Sequence, residues 1–115
     1  MTMMHEITWI AVCRYSELQP ERGVAALLPG GVQVAVFRTH DGGLHAVSNI
    51  DPFSGAAVLS RGIVGDRAGV PVVVSPIYKQ AFDLRTGTCL DAPSSVAVQV
   101  YPVQVSDDVV RVGLP

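Results

Sequence analysis

Apolar residues in this chain come in short runs rich in Val, Ile, Leu and aromatic side chains, each closed by Gly, Pro, Asp or Ser. No stretch sustains the period of about 3.6 residues that marks an amphipathic helix, so the pattern predicts an all-β fold. "ITWIAVC", Ile7 to Cys13, is β-branched and aromatic and opens the chain as a strand. "SELQPERG" after it is a polar connection with room for one turn of helix. "GVAALL", the turn "PGG" and "VQVAVFRT" then read as a hairpin. "HDGG" at residues 40–43, between "VAVFRT" and "LHAVSN", is a second and stronger hairpin signal, because Gly enters positive φ without a steric penalty. "GVPVVVSP", "AFDL", "VAVQVYPVQV" and "VVRVGL" are four further strand candidates, with "RTG" and "SDD" as turns after the second and third. Pro71 and Pro102 cannot donate to a ladder and belong at a strand start, an edge or a bulge.

At 115 residues the chain is sized for one domain, residues 1–115. A hydrophobic content of 49% against 16% charged residues suits a packed core and argues against disorder. A net charge of −2, with the eight Lys and Arg scattered, leaves no basic stripe for a phosphate backbone, so nucleic acid is not an expected partner. The apolar stretch from Val70 to Ile77 is broken by Pro71, Ser75 and Pro76 and is far shorter than the roughly 20 residues of a membrane span. "MTMMHEITWI" lacks the basic start and apolar run of a secretory signal. The expectation is a cytoplasmic protein without a membrane partner.

Candidate chemistry is sparse. Cys13 and Cys89 form no CxxC and read as packed thiols. Of the three histidines, His5, His40 and His45, the last two flank the "HDGG" turn and could face each other, but a metal site needs a third ligand. No Ser/His/Asp or Cys/His grouping is suggested, and Asp107-Asp108 reads as a solvated turn, so no independent catalytic site is expected. "GGVQVAV" and "RGIVGDRAG" match neither GxGxxG nor GxxxxGK[ST], and their glycines read as turn residues. Arg61 and Asp66 are a candidate ion pair across the second of these.

The middle of the chain, residues 44–93, differs from its flanks. Two turn-rich loops, "SNIDPFSGA" and "SPIYKQA", are followed by "FDLRTGTCLDAP". This stretch resembles the cluster-binding part of a Rieske-type domain, in which Cys-x-His and Cys-x-x-His loops precede a Phe-Asp-x-x-x-Gly hairpin and a proline. Pro76, Phe82, Asp83, Gly87 and Pro93 keep that frame, Gly55-Ala56 keeps the small residues of the first loop, and "LSRGIVGD" is similar to the Leu-x-x-Gly-x-Val strand and turn after it. The resemblance implies a Rieske-type β-sandwich or barrel with approximately residues 44–93 as an inserted cluster-binding-like subdomain. It aligns Asn49 and Asp51, then Ser75 and Tyr78, with the four ligands. A Rieske [2Fe–2S] centre takes two thiolates and two imidazoles, and an amide, a carboxylate, a hydroxyl and a phenol are poor replacements, so the cluster is expected to be absent.

"ITWIAVC", "NIDPFSGAAVLSRGIVGD" and "SPIYKQAFDLRTGTCLD" together resemble a subfamily without those ligands, the small subunits of cytoplasmic NADH-dependent nitrite reductases. That resemblance implies a non-redox accessory subunit beside a large subunit carrying FAD, siroheme and an iron–sulfur cluster. Its interface candidates are Phe53, Pro76, Tyr78, Lys79 and Gln80 on the two loops, since aromatic residues with a flexible cation suit an interface. Phe53 could equally cap the core between the loops. Asp51, ahead of Pro52, should begin a turn, and Tyr78 should pack its ring and bond across to the other loop through its hydroxyl. The alternative is a ferredoxin-like electron-transfer or mononuclear-metal protein, free-standing or serving an oxygenase, that uses the altered loops.

Overall fold

A computed structural model describes residues 6–91 and 96–115. It contains ten strands in three antiparallel sheets. β2 (Arg22–Leu28), β3 (Val32–Arg38), β4 (Leu44–Ser48) and the short β8 (Val100–Tyr101) form the middle sheet in that order. β1 (Thr8–Arg14), β10 (Val109–Leu114) and β9 (Val103–Ser106) form the second sheet, with β10 central. β5 (Ile63–Arg67), β6 (Val70–Val74) and β7 (Ala81–Asp83) form the third, with β6 central.

The middle sheet is covered on both faces, and its sequence says why. β3 reads "VQVAVFR", with four consecutive buried residues rather than an alternation of buried and exposed ones. Val34 and Val36 enter a cluster with Leu18, Leu28, Ala46, Val110 and Val112, against the β1–β10–β9 sheet. Ala35 and Phe37 point the other way, into a cluster with Val47, Leu59, Val64, Val73, Phe82 and Leu84, against the β5–β6–β7 sheet. Side chains alternate across a strand, so a strand between two apolar layers must be apolar at every position.

The "HDGG" hairpin forms as expected between β3 and β4. The Gly42 N–H donates to the Thr39 carbonyl at 3.0 Å, and Gly42 takes φ +90°. "SELQPERG" begins within a single 3-10 turn, Tyr15–Glu17. Two expectations need correction. "VAVQVYPVQV" is not one strand: Pro102 breaks it into β8 and β9, which belong to different sheets. Without an N–H to give, Pro102 leaves the ladder there, while its carbonyl accepts the Gly113 N–H at 2.9 Å. "IVGDR" is the strand β5, as the Rieske resemblance implies for "LSRGIVGD", but Gly65, read as a turn residue, lies inside it; Gly69 does occupy the turn, at φ +87°. Asp107-Asp108 is the exposed turn expected, and its Asp108 carboxylate also accepts the Ser16 N–H at 2.9 Å and the Ser16 hydroxyl at 2.6 Å. Pro71 lies at the second position of β6, before pairing with β7 begins at Val72.

Candidate functional site

Two loops meet beside the third sheet. The first, residues 49–57, leaves β4 and leads to the 3-10 turn Leu59–Arg61. The second, residues 75–80, joins β6 to β7. Each closes on its own backbone. In the first, the Asp51 N–H donates to the Ala56 carbonyl at 2.9 Å and the Gly55 N–H to the Asp51 carbonyl at 2.8 Å. In the second, the Ser75 N–H donates to the Gln80 carbonyl at 3.0 Å and the Lys79 N–H to the Ser75 carbonyl at 3.1 Å, with Lys79 at φ +63°.

Of the four positions that the Rieske resemblance aligns with ligands, two come together. Asp51 and Ser75 are both fully buried, and the Ser75 hydroxyl donates to Asp51 Oδ2 at 2.5 Å. Asp51 Oδ1 accepts the Phe53 N–H at 2.8 Å, the turn expected of an Asp before Pro52. The Ile77 N–H reaches Ser75 Oγ at 3.3 Å. Asn49 turns back instead: its Oδ1 accepts the Ser60 N–H at 2.7 Å, tying its loop to the 3-10 turn. Tyr78 points outward at 57% exposure, which corrects the expectation that its hydroxyl bonds across the loops. It sits at the outer corner of the turn that Lys79 closes onto Ser75, and the shorter, buried serine makes the cross-loop bond.

The other candidates separate into two sets. Phe53 is half-buried and packs on the core, its ring centroid 6.2 Å from that of Phe82. Lys79 is exposed, Pro76 and Gln80 are half-buried, and Gln80 Oε1 is buried without a protein partner among the described residues. Ile77, which is not among the residues expected at the interface, is also exposed at 44%. Its signal lies in the sequence, as an apolar residue standing in a loop between a proline and a tyrosine.

Beneath the loops the "FDLRTG" hairpin is held by Asp83. Its carboxylate accepts the Arg85 N–H at 2.8 Å and pairs with the Arg85 guanidinium at 3.1 Å. The hydrogen bonds from Arg85 hold the Asp83 carboxyl below the usual aspartate range. Arg61 and Asp66 do not form the expected ion pair: Asp66 accepts the Gly69 N–H at 3.0 Å within its own turn, and the neighbouring Arg67 pairs with Asp91 at 2.7 Å. Asp91 also accepts the Ala81 N–H at 2.8 Å, so it anchors the edge of β7, and its carboxyl is lowered by the Arg67 hydrogen bond first and that N–H second.

His40 and His45 line a cleft with Glu21, Asp41 and Asp66. His40 is exposed and His45 half-buried on β4, where burial pushes its imidazole below the ordinary histidine value. Among the described residues no three His, Cys, Asp or Glu side chains are grouped to hold a metal ion. Cys89 is buried in the core beside Phe82, and Cys13 lies half-buried on β1, its thiol pushed up by burial. His5 and Pro93 lie outside the described residues. No helix among the described residues is long and apolar enough to cross a membrane.

The donor set at the loops is therefore an amide oxygen, a carboxylate, a hydroxyl and a phenol. It does not fit a [2Fe–2S] cluster, whose iron takes thiolate and imidazole. The carboxylate and the hydroxyl are moreover committed to each other.

Residues 8–113 match the family model described as the Rieske-like [2Fe-2S] domain. A protein of Escherichia coli strain K12 named nitrite reductase (NADH) small subunit is 42% identical over 104 residues, which span 90% of this chain and 94% of that one. This chain belongs to the nitrite reductase (NADH) small-subunit family. A crystal structure described as an NADH-dependent nitrite reductase small subunit from Mycobacterium tuberculosis superposes with a TM-score of 0.93 at 53% identity, covering 96% of this chain and 98% of that one. A further small-subunit-like segment lies inside a longer polypeptide. The nitrite reductase [NAD(P)H] large subunit of Klebsiella oxytoca is 42% identical over 105 residues, which are 91% of this chain and 11% of that protein. The family description names a cluster, and the loop donors of this small-subunit chain do not supply its ligands.

Proposed function

We propose that this chain is a cytoplasmic, non-redox accessory subunit of an NADH-dependent nitrite reductase, supporting or positioning the large subunit that reduces nitrite to ammonium. The observation that carries the reading is the 42% identity to a nitrite reductase small subunit across nearly the whole of both chains. The donor chemistry of the loops supports the non-redox part, because Asp51 and Ser75 bond to each other where a cluster would need thiolate and imidazole. FAD, siroheme and an iron–sulfur cluster belong in this reading to the large subunit. The occurrence of a similar segment inside a large-subunit polypeptide fits a working association between the two.

The docking surface in this reading is the pair of loop tips. Pro76, Tyr78, Lys79 and Gln80, joined by Ile77, present an apolar, partly aromatic surface with one exposed cation, and Phe53 backs it from the core side. The test is to copurify the chain with its large subunit and to measure iron in the isolated small chain. A colourless small chain that copurifies with a siroheme-bearing partner is expected. Stoichiometric iron with visible absorption would replace this reading by the ferredoxin-like one. Tyr78→Ala should weaken the complex while the isolated chain stays folded, and an unchanged affinity would move the interface elsewhere.

A further inference from the structure

The two loops join at their roots, through one oxygen atom. Ser75 Oγ donates to Asp51 Oδ2 in the other loop and accepts the Ile77 N–H in its own, while Asp51 Oδ1 accepts the Phe53 N–H. Donors from the backbones of both loops thus converge on the Asp51 carboxylate, directly from Phe53 and through the Ser75 hydroxyl from Ile77. Both side chains are fully buried, and neither ion pair among the described residues involves Asp51. A buried carboxylate is costly unless its oxygens are occupied, so this contact resists being opened to anything other than an equivalent donor.

We propose that the Asp51–Ser75 hydrogen bond is a fastener that holds the two loops in fixed relation, the mechanical role that metal ligation would have in a cluster-bearing domain, and that it thereby sets the shape of the tip formed by Ile77, Tyr78 and Lys79. Ser75 is then a positioning residue for docking. Only this last step rests on the docking reading given above. Local geometry favours transmission to the tip: the Ser75 carbonyl accepts the Lys79 N–H, its N–H donates to the Gln80 carbonyl, and its hydroxyl oxygen holds Ile77, so one buried residue touches the backbone of two tip residues and of Gln80 beside them.

The test uses amide hydrogen exchange of the full chain together with its affinity for the large subunit. In Ser75→Ala, the amides of Ile77 and of Phe53, the latter in the opposite loop, should exchange at least about tenfold faster, with β3 amides unchanged. The affinity should fall by about tenfold. Val36→Ala, a core truncation on the far face of the middle sheet, should lower stability without either effect. An unchanged Phe53 amide in Ser75→Ala overturns the fastener. A faster Phe53 amide with unchanged affinity upholds the fastener and overturns docking at the tip. Should Ser75→Ala not fold, the unaltered chain decides the fastener by itself: the Ser75 hydroxyl proton should be resolved by NMR and exchange slowly, and exchange at the rate of a free hydroxyl overturns it.

Discussion

The two faces of β3 look onto halves of the molecule built in different ways. Val34 and Val36 face a layer closed by Val110, Val112, Leu18 and Leu28, where the buried side chains are apolar and the polar contacts, Tyr15 Oη–H to the Gly42 carbonyl and Arg38 to the Leu18 carbonyl, each 2.8 Å, are only part-buried. Ala35 and Phe37 face the half that carries the loops, and the buried Asn49, Asp51, Ser75 and Asp83 all lie in that half. Apolar packing is tolerant, since it asks for volume and pattern. The loop half adds directional contacts that only particular side chains can make, and these fix the loops where a metal would otherwise fix them.

Core truncation in the loop half should have the largest effect. Phe82 is fully buried, packs against the tilted ring of Phe53 and pairs with Cys89 across an isolated bridge, so Phe82→Ala should cost about 3–5 kcal/mol in chemical denaturation. A loss below about 1 kcal/mol would mean that the loop half contributes little to global stability. Gly87→Ala comes next. Gly87 takes φ +81°, and a Cβ there would stand 2.0 Å from the Val98 carbonyl oxygen, so the "RTG" turn must shift. Left-handed strain alone costs about 1–3 kcal/mol, and the clash adds to it. Gly30, which also has positive φ but open space around it, should tolerate the same change better.

The legibility of the sequence divides along the same line. The apolar half could be read from pattern, because strands such as "VQVAVFR" and "VVRVGL" state their burial directly. The "HDGG" and "RTG" turns were equally plain, since positive φ selects glycine. "VAVQVYPVQV" misled because its composition is uniform and only Pro102 marks the change of sheet. In the loop half, resemblance located the four positions but could not say which of them meet. Serine and tyrosine both offer a hydroxyl, and the choice of Ser75 depends on which residue the turn at Lys79 leaves buried. Asp108 was opaque for a similar reason, because its partner Ser16 is distant in sequence and nothing in either local pattern announces the pairing.

Those two serine–aspartate contacts sharpen the contrast further. Ser75→Ala strands a buried carboxylate oxygen and should cost about 1–3 kcal/mol, whereas Ser16→Ala removes a hydroxyl bonded to the exposed Asp108, whose place water can take. Paired denaturation curves should show a clear shift for the first and almost none for the second. Equal shifts would show that burial is not what separates them.

The smallest effect belongs to acid titration of the "FDLRTG" turn. Asp83 has its pKa lowered in the folded chain, chiefly by hydrogen bonds from Arg85, so between the ordinary aspartate pKa and that lowered value the unfolded chain binds the proton and the folded chain does not. The contribution is therefore present above the ordinary aspartate pKa and is lost as pH falls through the lowered folded value. Because the Arg85 side chain is 54% exposed, solvent screens the pair and the effect should be modest. Asp83→Asn keeps the shape of the turn but cannot titrate, so its urea midpoint should fall less steeply than that of the unaltered chain from about pH 5 to about pH 2. Parallel curves over that range would show that Asp83 contributes through its fixed hydrogen bonds to the Arg85 backbone and not through its charge.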